Sequence, residues 1–221
     1  MNSEIIINAI IEQGVLPLYF HPVENVSLQV LEAVYAGGIR AIEYTNRGES
    51  AHRNFVAMVA LRDKVYPELK LGVGTIKNME QADLYLSAGA DFLVSPGFVP
   101  EVADHCVKND IFYAPGCMTP TEITRAENAG IRFIKLFPGN MLGPGFLSGI
   151  KDIFPKLLFM PTGGVDPTFE SIQSWYMAGV CAVGMGSKLI SKKLMEAGDY
   201  QTITADMKKV IQIIQTIKKL K

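Results

Sequence analysis

Apolar residues recur along this chain in short runs, and longer segments with helix-start signals separate them. Eight runs are strand candidates, and they begin near residues 15, 39, 70, 91, 111, 131, 157 and 180. Four follow one recurring phrase, in which a small-residue helix end and a glycine lead directly into the run: Ala36–Glu43 (AGGIRAIE), Ser87–Ser95 (SAGADFLVS), Asn128–Lys135 (NAGIRFIK) and Met177–Gly184 (MAGVCAVG). Nearly continuous apolar runs are typical of parallel strands that are covered on both faces.

Signals of helix starts lie between the runs. The stretch Thr119–Glu122 (TPTE) has a threonine cap, a proline at the first helical position and a glutamate three residues after the cap. Asn78 before the sequence MEQ, and the dipeptide Asp166-Pro167, predict two more starts of this kind. The stretch Ser3–Gly14 carries two glutamates and no basic leader, so it predicts a helix that ends at Gly14 rather than a signal peptide.

Eight repeats of strand, loop and helix predict an α/β fold, a single (β/α)8 TIM barrel with an N-terminal helix, in which residues 1–221 form one domain. A doubly wound open sheet is the competing architecture. No GxGxxG motif follows the first strand candidate, and eight evenly spaced units favour a closed barrel. Because such barrels carry their sites at the C-terminal ends of the strands, polar residues at those ends are the candidates for function.

Composition limits the classes of partner. The 221 residues are 48% hydrophobic and 19% charged with a net charge of −1, and the absence of a basic stripe argues against nucleic acid. No apolar stretch reaches membrane-spanning length, so no membrane contact is expected. The three cysteines form no CxxC pair, which fits reduced thiols in a cytoplasmic protein. The three histidines are scattered, so we expect no metal site and no cofactor.

Lys135 lies in the middle of the apolar run that starts at Phe133. Side chains alternate across a strand, so Phe133, Lys135 and Phe137 are predicted to share one face. Burial opposes the charged form of a lysine and lowers its pKa, which turns the amine into a nucleophile for carbonyl carbon near neutral pH. A structural lysine paired with a buried carboxylate is the alternative.

Four further polar residues at strand ends fit chemistry on a 2-keto acid. Glu43 is the natural partner of Lys135, either as a counter-charge or as the proton relay that imine-based aldol chemistry needs. Arg47 has a planar guanidinium suited to a substrate carboxylate, although a surface salt bridge would also explain it. Thr75 and Thr162 can donate hydroxyls to the same substrate, or act as helix caps.

Glycines cluster after the last two strand candidates. Gly163 and Gly164 follow the seventh run, and Gly184, Gly186 and Ser187 end the eighth. Barrels often bind phosphate in these loops, because glycine lets backbone N–H groups approach an anion. Tight turns are the alternative explanation for each glycine pair.

Six segments taken together resemble one known family: Gly38–Arg47 (GIRAIEYTNR), Gly72–Thr75 (GVGT), Ser95–Gly97 (SPG), Gly130–Pro138 (GIRFIKLFP), Pro161–Val165 (PTGGV) and Gly184–Ser187 (GMGS). The chain resembles the 2-keto-3-deoxy-6-phosphogluconate (KDPG) and 4-hydroxy-2-oxoglutarate (KHG) aldolase family. The match runs in order from about residue 14 to residue 190, and six motifs in register are far more specific than any one of them.

The resemblance implies a metal-independent class I aldolase, a homotrimer of carbohydrate metabolism in the Entner–Doudoroff route. It implies that Lys135 is the Schiff-base lysine and Glu43 the general acid and base. It also implies roles for nine other positions: Arg47 and Thr75 at the pyruvate carboxylate, Pro96 and Phe137 in the pocket wall, Thr162 at the aldehyde, and Gly163, Gly164, Gly186 and Ser187 at the phosphate.

The chain departs from the family pattern at three positions and one loop. Tyr44 and Asn46 stand where the family usually has apolar residues, and Gly139 stands where alanine or serine is more usual. The loop continues as Asn140–Phe146 (NMLGPGF). These departures leave the Lys135 and Glu43 pair intact and concern the part of the site that holds the aldehyde.

The expected reaction is reversible cleavage of KDPG to pyruvate and glyceraldehyde 3-phosphate, so the expected partners are a small-molecule 2-keto acid and an aldehyde. The same mechanism on 4-hydroxy-2-oxoglutarate or on 2-keto-3-deoxy-6-phosphogalactonate is the near alternative. A phosphate-binding barrel isomerase or decarboxylase with a non-covalent lysine is more distant. A barrel without catalytic activity ranks last, because it has no use for a buried lysine and glutamate.

Overall fold

The computed structural model describes residues 3–220. The helices of this part of the chain are α1 (Ser3–Gln13), α2 (Glu24–Ala36), α3 (Ala51–Val65), α4 (Met79–Ser87), α5 (Pro100–Lys108), α6 (Pro120–Asn128), α7 (Gly139–Ile150), α8 (Phe169–Met177), α9 (Lys192–Ala197) and α10 (Tyr200–Lys219). The strands are β1 (Val15–Tyr19), β2 (Ala41–Thr45), β3 (Lys70–Gly74), β4 (Phe92–Val94), β5 (Phe112–Ala114), β6 (Gly116–Cys117), β7 (Phe133–Leu136), β8 (Leu158–Pro161) and β9 (Val183–Met185).

All strand pairs are parallel, and hydrogen bonding divides the strands into two sheets. The larger sheet has the order β5-β4-β3-β2-β1-β9, and the smaller has the order β6-β7-β8. Pro115 alone separates β5 from β6, and it interrupts the ladder because proline has no N–H. An isolated parallel bridge between Thr162 and Gly184 connects β8 to β9. The predicted α/β class is confirmed as a curled parallel sheet, while the eight strand candidates do not form one uninterrupted ladder.

Each predicted run contains a strand, but several strands start later than expected. The second begins at Ala41 instead of residue 39, and the last begins at Val183 instead of residue 180. The residue after each glycine still belongs to the preceding helix cap: the Ile39 N–H donates to the Val34 carbonyl at 3.3 Å, and the Val180 N–H donates to the Trp175 carbonyl at 3.4 Å. This bond across six residues is the Schellman cap, so strand pairing starts only after it.

Two of the three predicted helix starts are confirmed. Thr119 and Glu122 form a reciprocal capping box, and Asn78 accepts from the Gln81 N–H. The start predicted at Asp166-Pro167 is wrong, because Thr168 caps α8 by accepting from the Ser171 N–H. Helix α1 ends at Gln13, as predicted, where Gly14 takes φ 75°.

The first helix packs against strands β1, β2 and β5. Ile6, Ile7 and Ile10 pack in one apolar cluster with strand residues that include Phe92 and Phe133. The opposite faces of the strands pack against the surrounding helices in a second, larger cluster. Lys135 and Glu43 therefore lie on the same strand faces as an apolar cluster, a setting that disfavours charge.

No helix within residues 3–220 is long and apolar enough to cross a membrane.

Candidate active site

Lys135 lies in β7, and both neighbouring segments fix its backbone. Its N–H donates to the Pro115 carbonyl at 2.9 Å, and it lies in register with Gly116 on one side and Met160 on the other. Phe133 belongs to the apolar cluster that contains the isoleucines of α1, whereas Ile134 and Leu136 belong to the larger cluster beneath the surrounding helices. The predicted alternation is therefore confirmed, and Lys135 is an inward-facing lysine with only 4% of its surface exposed.

Glu43 of β2 lies opposite Lys135. The distance from Lys135 Nζ to Glu43 Oε1 is 3.8 Å, and the side chains are 6% and 1% exposed. The Phe137 ring centroid is 5.2 Å from the same nitrogen. A separation of 3.8 Å is an ion-pair distance and too long for a hydrogen bond, so the two groups are paired while the amine keeps freedom to react.

Burial is the main cause that lowers the pKa of Lys135, and the charge of Glu43 only partly opposes it. The nearby Arg47 guanidinium lowers the pKa of Lys135 further. A lowered pKa increases the fraction of neutral amine at a given pH, and the neutral amine is the nucleophile.

Gly74 of β3 provides the space for the Glu43 carboxylate. A Cβ at position 74 would lie 1.7 Å from Glu43 Oε1. Glu43 Oε2 is buried and has no hydrogen-bond partner among the described residues. An orphaned buried carboxylate oxygen is costly, and such atoms in native proteins call for an explanation such as a ligand or a catalytic role.

We expect Gly74→Ala to displace Glu43, the predicted proton relay, and to reduce turnover roughly 100-fold, because misplacing a group with such a role by about 1 Å has effects of this size. Steady-state kinetics on the substrate expected from the sequence, KDPG, measure it, alongside a thermal melt. Gly149→Ala is the matched control, since a Cβ there meets nothing within 4 Å. A Gly74→Ala enzyme with wild-type kcat would show that the position of Glu43 does not matter.

Thr162 follows β8 and has a similar arrangement. Its side chain is buried, and its Oγ1 has no hydrogen-bond partner in the described part of the chain. A Cβ at Gly184 would lie 2.2 Å from this oxygen. Gly184, which belongs to the suspected phosphate loop in sequence, therefore serves to make room for Thr162.

Thr75 directly follows β3 and has φ 67°. Positive φ is strained for a β-branched residue, and such strain is concentrated at functional sites. Thr75 is partly buried and lines neither of the two cavities described next. Pro96 is also partly buried and also lines neither cavity. Its carbonyl packs against Gly116, the register partner of Lys135.

Two adjoining cavities lie among the loops that follow β1, β8 and β9. The larger, of about 470 Å³, reaches the loop after β1, and the smaller, of about 220 Å³, reaches the loop after β8. They share four lining residues: Leu18, Arg47, Gly186 and Ser187. Phe137, Thr162, Gly163 and Gly164 also line the smaller cavity. Lys135 and Glu43 line neither cavity, but Phe137 connects the smaller one to the Lys135 amine.

The glycines of the suspected phosphate loops differ in why they must be glycine. Gly163 and Gly164 have φ of 90° and 74°, and a Cβ at Gly164 would lie 2.5 Å from the Asn140 Cβ. Local structure therefore requires both. Gly186 has no such φ, and a Cβ there would meet nothing closer than 3.5 Å. The fold would accept a side chain at Gly186, so an effect of substituting this glycine would report on a bound ligand rather than on folding.

A family model and the curated relatives named below agree on one family. Residues 6–206 match the family described as KDPG and KHG aldolase. The chain belongs to this family. It is 35% identical over 191 residues to the 2-dehydro-3-deoxy-phosphogluconate aldolase of Treponema pallidum (strain Nichols), with 85% of this chain and 87% of the relative covered. It is 32% identical over 179 residues to the KHG/KDPG aldolase of Escherichia coli (strain K12), with 80% and 81% covered.

A solved aldolase structure has the same fold. The KDPG aldolase of Legionella pneumophila superposes with a TM-score of 0.84 at 26% identity, and the match covers 92% of this chain and 97% of that one. In that crystal structure, pyruvate is captured as a covalent carbinolamine. The enzymes that this chain resembles are thus aldolases, which are lyases.

The departures from the KDPG and KHG aldolase pattern have structural explanations. Tyr44 is fully buried, and its hydroxyl donates to the His21 carbonyl at 2.9 Å, which fixes the loop after β1. Asn46 accepts from the Tyr85 hydroxyl at 2.9 Å. Gly139 packs so closely that a Cβ would lie 2.6 Å from the Gly163 carbonyl oxygen. The first two contribute hydrogen bonds, and the glycine lets α7 approach the β8 loop.

Two features of the site have no counterpart in the sequence predictions. Ser27 and Asn54 join Tyr44 in holding the His21 carbonyl, at 3.1 Å and 3.0 Å. Lys188 lines the smaller cavity and forms an ion pair with Asp166 at 3.0 Å. The position of Lys188 directly after the GMGS motif could have indicated its place in the cavity. The hydrogen bonds to the His21 carbonyl could not be predicted, because they come from residues far apart in sequence.

A cysteine nucleophile or a clustered metal site finds no support among residues 3–220. Burial raises the pKa of Cys106, Cys117 and Cys181 to about 12, so these thiols stay protonated. No group of three or more histidine, cysteine, aspartate or glutamate side chains in this range is arranged to hold a metal ion.

Proposed function

We propose that this chain is a class I aldolase that cleaves 2-keto-3-deoxy-6-phosphogluconate to pyruvate and glyceraldehyde 3-phosphate through a Schiff base on Lys135. The pairing of a buried lysine with a buried glutamate 3.8 Å away supports the proposal most. Family membership supports the same reaction class. Trapping with pyruvate and borohydride is the direct test, because only an imine is reduced to a stable lysine adduct.

In this mechanism, the neutral Lys135 amine attacks the C2 carbonyl, and Glu43 relays a proton to the carbonyl oxygen to give the carbinolamine. Loss of water forms the iminium. Glu43 then accepts the proton of the C4 hydroxyl, and the C3–C4 bond breaks as its electron pair moves toward the iminium nitrogen. The aldehyde leaves, the enamine is protonated at C3, and water releases pyruvate and the free amine.

The remaining residues orient the substrate. Arg47 lies at the junction of the two cavities and binds the carboxylate, with Thr75 as a second donor. Phe137 and Pro96 form the wall beside the reacting carbon. The unpaired Thr162 hydroxyl binds an oxygen on the aldehyde side. The backbone N–H groups at Gly163, Gly164 and Gly186, with the Ser187 hydroxyl, hold the phosphate.

The unphosphorylated compound 4-hydroxy-2-oxoglutarate is the second candidate substrate, because the family includes aldolases of both kinds. The two candidates differ at the phosphate. Binding energy from a group remote from the broken bond can be used for orientation, so a phosphate site should appear in kcat/KM.

We expect Gly186→Val to reduce kcat/KM for KDPG by at least about tenfold while turnover of 4-hydroxy-2-oxoglutarate changes little, because valine blocks the approach of phosphate to the backbone. Side-by-side kinetics measure both, and a thermal melt checks folding. Gly149→Val is the control. If the wild type shows no preference for phosphate and Gly186→Val slows both substrates equally, the glycines are turn residues and the hydroxy-oxoglutarate reaction is favoured.

The two hydrogen-bonded sheets can be joined into one architecture. We propose that the two sheets close a single-domain (β/α)8 barrel, because one residue separates β5 from β6 and the Thr162–Gly184 bridge connects the other edges. The homotrimer stays a prediction from the resemblance, and sedimentation velocity would measure the number of subunits. The cytoplasmic location stays a prediction from the cysteine pattern.

A further inference from the structure

An ion pair joins the two loops that carry the proposed phosphate site. Lys188 directly follows Ser187, and its Nζ lies 3.0 Å from Asp166 Oδ1 in the loop after β8. Lys188 lines the smaller cavity together with Gly163, Gly164, Gly186 and Ser187. A cationic side chain is therefore positioned at the proposed phosphate, although none of the assigned roles uses it.

The proposed phosphate donors are otherwise neutral. They consist of backbone N–H groups and one hydroxyl, while a phosphate monoester carries a charge of about −1.5 to −2 at pH 7. Arg47, the other cation lining the smaller cavity, is already assigned to the substrate carboxylate. Hydrogen bonds to an ionised phosphate are already charge-assisted, and an ammonium beside the phosphate would add a direct attraction between opposite charges.

Lys188 can leave Asp166 for another anion at a low cost in free energy. The two side chains are 63% and 49% exposed, and exposed ion pairs contribute little. Asp166 is the fixed partner, because its backbone N–H donates to the Ser171 hydroxyl at 3.0 Å beside the α8 cap. Lys188 is the movable one, since its ammonium sits on a flexible four-carbon stem.

We propose that Lys188 is a specificity-determining residue whose ammonium leaves Asp166 and binds the phosphate of the incoming substrate. This inference rests on the proposed aldolase function and adds one residue to it. In the free enzyme, Asp166 holds the ammonium at the edge of the cavity. When the phosphorylated substrate binds, the dianion competes for the ammonium and secures it.

The test compares KDPG with the same sugar acid lacking its phosphate, using the ratio of the two kcat/KM values. We expect Lys188→Met to lower this ratio at least about tenfold, the effect of losing one charged hydrogen bond. Lys188→Arg should retain most of the ratio. Asp166→Asn should keep or raise it, because the competitor is gone. Lys193→Met, an exposed lysine on α9 that lines neither cavity, is the control.

A purely structural ion pair would behave differently. If the pair only fastened the two loops, Lys188→Met and Asp166→Asn would lower the ratio equally, and that result overturns the proposal. An unchanged ratio in Lys188→Met overturns it as well. Pyruvate trapping by borohydride in each variant separates the two hypotheses: a wild type that does not trap refutes the aldolase function, whereas normal trapping with an unchanged ratio refutes only the role of Lys188.

Discussion

Lys135→Met is expected to reduce aldol cleavage by on the order of 10⁴-fold or more, because the variant has no amine to form the iminium. Methionine keeps the length and apolar stem of the side chain, so packing beside Phe137 is largely retained. In the wild type, pyruvate and borohydride should add a stable mass to one lysine, and peptide mapping should place it at Lys135. The same treatment should leave the variant unmodified.

The matched control for this experiment is another lysine with a lowered pKa. Partial burial also lowers the pKa of Lys151, yet its ammonium donates to the Leu157 carbonyl at 2.7 Å. Lys151→Met should therefore keep kcat and the trapping at Lys135. Circular dichroism must confirm that Lys135→Met folds, because Glu43 loses its cation and an unpaired buried charge is destabilising. Trapping at another lysine in active enzyme would refute the assignment.

The inward direction of Lys135 could be predicted from sequence because it depends on a local rule. Alternation along β7 fixes the side-chain direction once Phe133 is placed inside, and the register with β8 is uninterrupted from Phe133 to Leu136. The capping box at Thr119 and the end of α1 at Gly14 were predictable for the same reason. In each, the residues that interact lie within a few positions of one another.

Other features depend on contacts that sequence spacing does not reveal. Tyr44, Ser27 and Asn54 come from a strand and two helices, and they meet only because the His21 carbonyl lies between them. Gly74 and Gly184 resemble any strand glycine until the side chains that occupy their space, Glu43 and Thr162, are placed. The start predicted at Asp166 failed because Thr168 offers an equally good cap two residues later, which frees the Asp166 carboxylate to pair with Lys188.

The second large effect concerns the proton relay. Glu43→Gln should reduce kcat by about 10²- to 10⁴-fold, the usual contribution of a positioned acid or base. Glutamine has the shape of glutamate and fits the space that Gly74 leaves, but it has no titrating group. Since Glu43 raises the pKa of Lys135, its removal lowers that pKa further and increases the fraction of neutral amine. Pyruvate binding should therefore be retained while carbinolamine dehydration and C–C cleavage become slow.

Equilibrium binding of pyruvate, measured by calorimetry, and single-turnover kinetics on KDPG measure the two parts of this prediction separately. Asp91→Asn is the matched control, because Asp91 is another buried carboxylate, paired with Arg62 and accepting from the Leu71 N–H at 2.7 Å outside the site. It should lower the melting temperature and leave kcat unchanged. A Glu43→Gln enzyme with full activity would show that Glu43 is only the counter-charge of Lys135. A variant that binds pyruvate but turns over slowly would assign to Glu43 the proton transfers that flank the breaking bond.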